Sequence, residues 1–545
     1  MTRRNLVLTC GTASAVLAGV AGVALRAQTG MPCQSLSSLT LANTTITMAQ
    51  MVAAGSFVAP ARGGGPGQPL TDLPAFCRVQ ATLRPSPDSN IKMELWLPEP
   101  AATAEPAAPK PSAKAGWNGK FRGTGNGGLG GGAGVAAGAL ANGVRRGYAT
   151  AGNNTGHEGD SSYALSHPEQ IKDFGYRAAH EMTVASKAIV KAFYGVAPQV
   201  SYMAEGGGGT IAALSSAQRY PDDYDAIAVT GMSSYLTRHT FGQMWIWQAT
   251  HKDAASFIPP AKYPVLHQAA LNACDALDGI KDGVIGDVGH CKFDPAVTLC
   301  KAADPSTGSG SPRAESRGDA ADCLTPAQVE AARKIYAGPR NPRTGEEIYS
   351  PLYPGSELGW GQLAGGDAPL GIPIEFFKYY VFRDPNWDYK TRPINFDSDV
   401  ELSNRPEIQP VNAVDPNLMP FFARGGKLLL VDGWADAAVP PKVAINYYNA
   451  VVAKVGTRAL KESMRFFMVP AMAHGPGTTG AENVNFDALS LIEQWKEKGQ
   501  PPDQLVVSHF KDATETGQRL VCQFPRVAVY KGTGSPEDAK SYSCR

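Results

Sequence analysis

Gln199-Val-Ser-Tyr-Met-Ala-Glu-Gly-Gly-Gly-Gly-Thr-Ile-Ala-Ala-Leu214 reads as a buried strand, a tight glycine turn and the opening of a helix. Four consecutive glycines, Gly206 to Gly209, free the backbone for positive φ and for close approach of a neighbouring segment or ligand. A sharp strand-to-helix turn of this kind, when it carries Gly-x-Ser-x-Gly, lifts a serine hydroxyl above a sheet beside the first N–H groups of a helix. No serine stands in this turn.

The flanks carry the reading further. Phe174-Gly-Tyr-Arg-Ala-Ala-His-Glu-Met-Thr-Val-Ala185 before the turn and Ala217-Gln-Arg-Tyr-Pro-Asp-Asp-Tyr-Asp225 after it closely resemble the tannase and feruloyl esterase family, which includes a hydrolase of mono(2-hydroxyethyl) terephthalate. The resemblance spans nearly the whole mature chain. Counted back from Gln218, the family's Cys-Ser pair falls on Gly206 and Gly207, so the resemblance puts Gly207 at the nucleophile position. It implies an α/β-hydrolase fold: a parallel-sheet core with helices on both faces and a large inserted lid.

Length and composition agree. At 545 residues the chain is too long for one simple core, and 59 glycines with 42 prolines indicate many loops. The net charge is +1, and a leading segment with Arg3, Arg4 and Arg26 but no acidic residue accounts for more than that excess. Neither nucleic acid nor a membrane surface is expected as partner. Residues 1–27 read as an export signal, with a mildly apolar, Ala- and Gly-rich stretch after Arg3-Arg4 and a small-residue end at Ala27. The stretch is short for a membrane anchor, and Thr2-Arg3-Arg4-Asn5-Leu6 resembles a twin-arginine signal. A periplasmic or secreted protein is the expectation. The units expected after the signal are a first core part at 28–232, a lid at 233–404 and a second core part at 405–545.

Of nine cysteines, Cys10 leaves with the signal, and an even set of eight in an exported chain reads as a disulfide framework. Sequence alone allows 105 pairings of eight cysteines. The resemblance implies the sequential one: Cys33 with Cys77, Cys274 with Cys291, Cys300 with Cys323, and Cys522 with Cys544. The family's further bridge, beside nucleophile and histidine, is lost at both ends, since its positions hold Gly206 and Gly475.

Along the chain, residues 48–54 look helical, and Asn90-Ile-Lys-Met-Glu-Leu-Trp-Leu97 alternates as a half-buried strand. After an Ala- and Pro-rich surface run at 99–115, Trp117-Asn-Gly-Lys-Phe-Arg-Gly-Thr-Gly-Asn-Gly-Gly128 resembles the family's strand and oxyanion loop. Backbone N–H groups of Gly127 or Gly128 would then face the turn at Gly207 and Gly208. The same stretch matches Gly-x-Gly-x-x-Gly at Gly123, Gly125 and Gly128, but no acidic residue follows before His157, which argues against a dinucleotide site. Val144-Arg-Arg-Gly-Tyr-Ala-Thr-Ala-Gly-Asn153 reads as a strand, His157 as a loop-ordering hydrogen-bond donor, residues 178–194 as a helix, and Asp225-Ala-Ile-Ala-Val-Thr230 as a buried parallel strand. From about 233 to 404 long loops dominate. Trp245 and Trp247 there are either core aromatics or the lining of a pocket for an aromatic acyl group, and residues 302–321 read as a mobile spacer.

Within this lid, Cys274-Asp-Ala-Leu-Asp-Gly-Ile-Lys-Asp-Gly-Val284 sets Asp275, Asp278 and Asp282 on a turn whose glycines expose backbone carbonyls, hard oxygen donors that suit Ca²⁺. It resembles the family's structural calcium site, with carbonyls of Ile280 and Val284 as the matching backbone ligands. No organic cofactor is expected. Farther on, the buried run at 427–431 delivers Asp436 just past its end, and the strand at 464–469 leads into a loop with His474. The order turn, Asp, His is that of α/β hydrolases, and Asp436 and His474 match the family's acid and base. Thr210, Ser215 and Ser216 look poorly placed to replace the serine.

Two functions follow. One is an ester hydrolase for aromatic, phenolic acid esters in which His474, oriented by Asp436, activates water and the glycine loops hold the oxyanion, with Glu205 as a second base or a binder of a substrate cation. The other is an inactive relative that binds a small aromatic ester or a phenolic-glycan conjugate.

Overall fold

The structure, a computed structural model, describes residues 30–60, 67–100, 116–129, 137–300, 321–477, 483–511 and 514–545. The expected export signal, most of the run at 99–115 and nearly all of the spacer at 302–321 lie outside the described residues. Side-chain alternation builds the central sheet. In the strand Lys427–Gly433, Leu428 and Leu430 enter one apolar cluster while Leu429 and Val431 enter another. Phe466 and Met468 divide from Phe467 and Val469 in the same way, as a strand buried on both faces requires.

The strands are β1 (Thr44–Val52), β2 (Phe57–Ala59), β3 (Gln68–Leu70), β4 (Phe76–Leu83), β5 (Ile91–Pro98), β6 (Lys120–Gly123), β7 (Ala149–Asn153), β8 (Val200–Gly207), β9 (Ala226–Met232), β10 (Lys427–Gly433) and β11 (Met464–Val469). Nine of them form one sheet in the order β1-β4-β5-β7-β6-β8-β9-β10-β11. From β7 to β11 every neighbour is parallel, so the carboxyl ends gather along one edge. β1, β4 and β5 extend the sheet antiparallel, and β5 meets β7 antiparallel. The sheet is therefore mixed, with its parallel part where the expected core lies. Small sheets follow at β12 (Asn483–Asn485), β13 (Gln504–Lys511) and β14 (Thr514–Cys522), and at β15 (Ala528–Tyr530) with β16 (Tyr542–Cys544).

Helices cover both faces. α1 (Ala137–Arg145) sets Leu140 and Val144 against Trp96, and the helix Ala488–Lys498 sets Leu489, Ile492 and Trp495 against Leu429 and Val431. On the opposite face lie α3 (Ala178–Tyr194), which follows the short α2 (Pro168–Lys172), and α4 (Gly209–Arg219). Met182, Ala185, Ile189 and Phe193 recur every three or four residues along α3, which gives it one buried stripe. Between β9 and β10 the chain leaves the sheet for α5 (Leu236–His251), Tyr263–Cys274, Pro326–Ala337 and shorter helices. Among the described residues it adds no strand to the sheet there.

Two local expectations are corrected. Residues 48–54 are not helical: β1 runs through Val52 and pairs with β4 from Thr44↔Leu83 to Val52↔Phe76. That long partner outweighs the helix preference of Met, Ala and Gln. The strand expected from Val144 begins at Ala149, because Val144 and Arg145 close α1, with Val144 buried in its stripe. The four disulfides are the sequential ones, with Cα–Cα separations of 5.7, 5.4, 4.9 and 5.6 Å in chain order.

Candidate active site

β8 turns into α4 with one residue in the left-handed region, Gly207 at φ +55°, while Gly208 is already helical at φ −57°. Of the four glycines only Gly207 takes positive φ, which marks it as the apex of the turn. A Cβ on Gly207 would stand 2.9 Å from His474 Nε2. His474 thus faces the position that the sequence assigns to the nucleophile. The space is narrower than a side chain requires, so a serine there would have to push the imidazole back by a few tenths of an ångström.

The imidazole is held from behind. Its Nδ1–H donates to Asp436 Oδ2 at 2.7 Å, leaving the Nε2 lone pair toward Gly207 when the ring is neutral. Asp436 is fully buried, and its Oδ1 accepts from Ala438 N at 2.8 Å and Val439 N at 2.9 Å. His239 supports the same loop by donating from Nε2 to the Ala438 carbonyl at 2.9 Å. Burial alone would lower the His474 pKa, but the carboxylates of Asp436 and Asp432 outweigh it and raise the group to about 8.

Opposite the turn lies the loop after β6. A Cβ on Gly208 would come within 2.6 Å of Gly128 N and 3.1 Å of the Gly127 carbonyl carbon, so two backbones touch where only glycine fits. Gly127 N–H donates to Asn126 Oδ1 at 3.1 Å, which leaves Gly128, whose nitrogen lies against Gly208, as the better placed of the two expected donors. Gly206 and Gly475 flank one hydroxyl: their Cβ positions would lie 2.9 and 3.8 Å from Thr230 Oγ1. Gly206 and Gly475, the two positions at which the resemblance leads one to expect a bridge, thus both lie beside Thr230.

The alternative nucleophiles are engaged elsewhere. Thr210 Oγ1 donates to the Gly207 carbonyl at 2.6 Å and accepts from Ser233 N. Ser215 donates to Gly175 O and Ser216 to Ala212 O. Glu205 lies beneath the turn with Oε2 against Gly125 and Gly209; burial, opposed by Arg122 and the Gly125 N–H, raises its pKa to about 7.

The family model described as tannase and feruloyl esterase matches residues 105–545. The chain belongs to the tannase and feruloyl esterase family. An uncharacterized esterase of Xanthomonas campestris is 35% identical, with 97% of this chain and 93% of that protein covered. A probable feruloyl esterase B-1 of Aspergillus oryzae is 28% identical over 89% of this chain and 86% of its own. Among solved structures, feruloyl esterase B from Aspergillus oryzae superposes with TM-score 0.79 at 27% identity, covering 94% of this chain and all of that one. The tannin acyl hydrolase of Aspergillus niger, at 19% identity, shares the fold with TM-score 0.70, covering 93% and 92%.

The expected calcium loop of this family member is closed by Cys274–Cys291. Among the described residues no three acidic, histidine or cysteine side chains gather tightly enough to hold a metal by themselves. Asp275 accepts from the N–H groups of Asp282 and Gly283, and Asp282 pairs with Arg519 Nη2 at 2.6 Å and accepts from the Tyr542 hydroxyl. Asp278 is buried, its Oδ2 has no hydrogen-bond partner, and the nearest Arg519 nitrogen is 3.8 Å away. Burial, then the negative neighbours Asp282 and Asp275, raise its pKa to about 6. Asp278 and Asp282 share one guanidinium, with the Asp275 carboxylate near Asp278, an excess of negative charge that a divalent cation would offset.

Of the two tryptophans of α5, Trp247 is a buried core aromatic stacked on His251, while Trp245 is half-buried, donates to Lys334 O and packs edge-on to Phe396. His157 Nδ1 bonds within its own loop, to Thr155, while its Nε2 is buried without a partner and its ring packs on Tyr163 at 4.2 Å. Sequence reasoning passes over Thr230, Asp432 and Arg519. Asp432 is buried four residues before Asp436 at the end of β10, where burial and then the Asp436 charge push its carboxyl well above the usual range. Its place in an apolar strand run is the signal that could have found it.

Proposed function

We propose that the chain hydrolyses esters of aromatic, phenolic acids by direct attack of water, with His474 as base and Asp436 as its orienting acid. The observation that carries this reading is His474 Nε2 aimed at Gly207 while Nδ1 is fixed on Asp436 at 2.7 Å. His474 Nε2 takes a proton from water as the water oxygen bonds to the acyl carbon, and charge builds on the carbonyl oxygen. The N–H groups of Gly128 and Gly208 stabilise that charge. The bond to the alcohol then breaks, and His474 returns the proton to the departing oxygen. Residues 275–284 bind one structural Ca²⁺ that offsets the buried acidic charge of the lid, and the protein is exported, in keeping with its four disulfides.

Intact-mass measurement on enzyme quenched during turnover of a hydroxycinnamate ester tests this. The unmodified mass is expected throughout, with product forming. An acyl adduct on Thr210 or any other side chain would overturn water attack. A second reading, a binding protein without catalysis, draws on the 2.9 Å approach at Gly207, which narrows the space a water needs. An aromatic ester bound but not turned over would select it.

A further inference from the structure

Glu205 has no place in the mechanism above, yet it stands directly before the four glycines. Its carboxyl packs against Gly125 and the start of α4. Oε2 accepts the Gly125 N–H and lies so close to α4 that a Cβ on Gly209 would stand 2.7 Å from it. Oε1 is buried without a hydrogen-bond partner. Beneath it, the buried Arg122 at the end of β6 donates to Asn142 of α1 and reaches the Ala204 carbonyl at 3.5 Å, which fixes a positive charge under the carboxyl.

What this side chain joins is otherwise glycine against glycine. A Cβ on Gly125 would lie 2.8 Å from Gly209 Cα, and one on Gly208 would lie 2.6 Å from Gly128 N. Such segments approach closely because they lack side chains, and for the same reason they have nothing to interlock and much conformational freedom to lose. We propose that Glu205 is a positioning residue of the ester-hydrolysing site, clamping the loop at 123–129, through Gly125 N–H, onto the first turn of α4 so that Gly128 and Gly208 N–H face one point. The proposal rests on the reading of those two groups as oxyanion donors. A full carboxylate so near would oppose a developing oxyanion, but a pKa near 7 leaves much of the group uncharged around neutrality.

The test compares wild type with Glu205→Ala and Glu205→Gln. The glutamine keeps an oxygen for Gly125 N–H and the alanine does not. For Glu205→Ala, kcat on a hydroxycinnamate ester falls about 10- to 100-fold, less than the roughly 10²–10³ lost with a whole oxyanion donor, while KM stays within about threefold. For Glu205→Gln both stay within about threefold of wild type. Hydrogen exchange followed by mass spectrometry gives a readout independent of activity: amides of 123–129 exchange about tenfold faster in Glu205→Ala and as in wild type in Glu205→Gln. Unchanged exchange in Glu205→Ala, or equal damage from both substitutions, overturns the clamp. If wild type proves inactive, the functional reading fails by itself, and the exchange comparison still decides the role of Glu205.

Discussion

Placing a serine at Gly207 would crowd the histidine that is to activate it. Gly207→Ser must adopt φ near +55°, at a cost of about 1–3 kcal/mol, and must move His474 Nε2 away from a 2.9 Å contact. Hydrolysis of hydroxycinnamate, gallate or terephthalate esters is expected to rise above wild type, with an acyl-enzyme burst abolished by His474→Ala. No gain in a folded variant would mean that the imidazole does not yield. Adding Gly206→Cys and Gly475→Cys is expected to help little, since Gly475 sits at φ +136°, where a cysteine is strained. The base must be neutral to act, so kcat/KM should climb with pH through about 8, and a flat profile between pH 6 and 9 would contradict the assignment. Linkage has the opposite sign. His474 has a folded pKa above its ordinary 6.5, so its share of stability is complete below that value and is lost as pH rises through about 8. The dyad is legible in the sequence because each member stands just past an apolar strand run. The crowding at Gly207 is not, since it depends on where a ring comes to rest.

At the scale of elements, the contact between the β8–α4 turn and the loop after β6 tolerates no side chain. Gly208→Ala would put a Cβ 2.6 Å from Gly128 N, backbone against backbone, so activity should fall by roughly 10²-fold while circular dichroism stays native. Activity retained would show that the loops do not act together. The acidic loop at 275–284 meets Arg519 of β14 and Tyr542 of β16, two strands tied by Cys522–Cys544. Chelator should therefore lower the melting temperature and calcium restore it. An unchanged melting curve would mean that Arg519 suffices as counter-charge. The three aspartates are visible as a motif, whereas Arg519, more than 200 residues away, is not. The second half of β1 was hidden for a related reason: its residues suit a helix, and the partner that makes them a strand, β4, comes only after the β2–β3 pair.

Across the whole molecule, the parallel strands β6 to β11 bring Gly128, Gly207, Asp436 and His474 to one edge of the sheet from positions more than 300 residues apart. That convergence is readable from strand order, while the antiparallel extension β1-β4-β5 is not, because alternation does not reveal strand direction. Cys33–Cys77 pins the first described helical turn to β4, the neighbour of the edge strand β1, and removing it by Cys33→Ala with Cys77→Ala should cost about 2–5 kcal/mol in denaturant unfolding. A family frame that keeps acid, base and glycine loops but not the serine is the central claim. The most direct measurement is the hydrolysis of methyl ferulate by wild type and by His474→Ala at pH 8.5. Wild type is expected to exceed the variant in kcat/KM by about 10²-fold or more. Equal rates, or both at the buffer background, would contradict it.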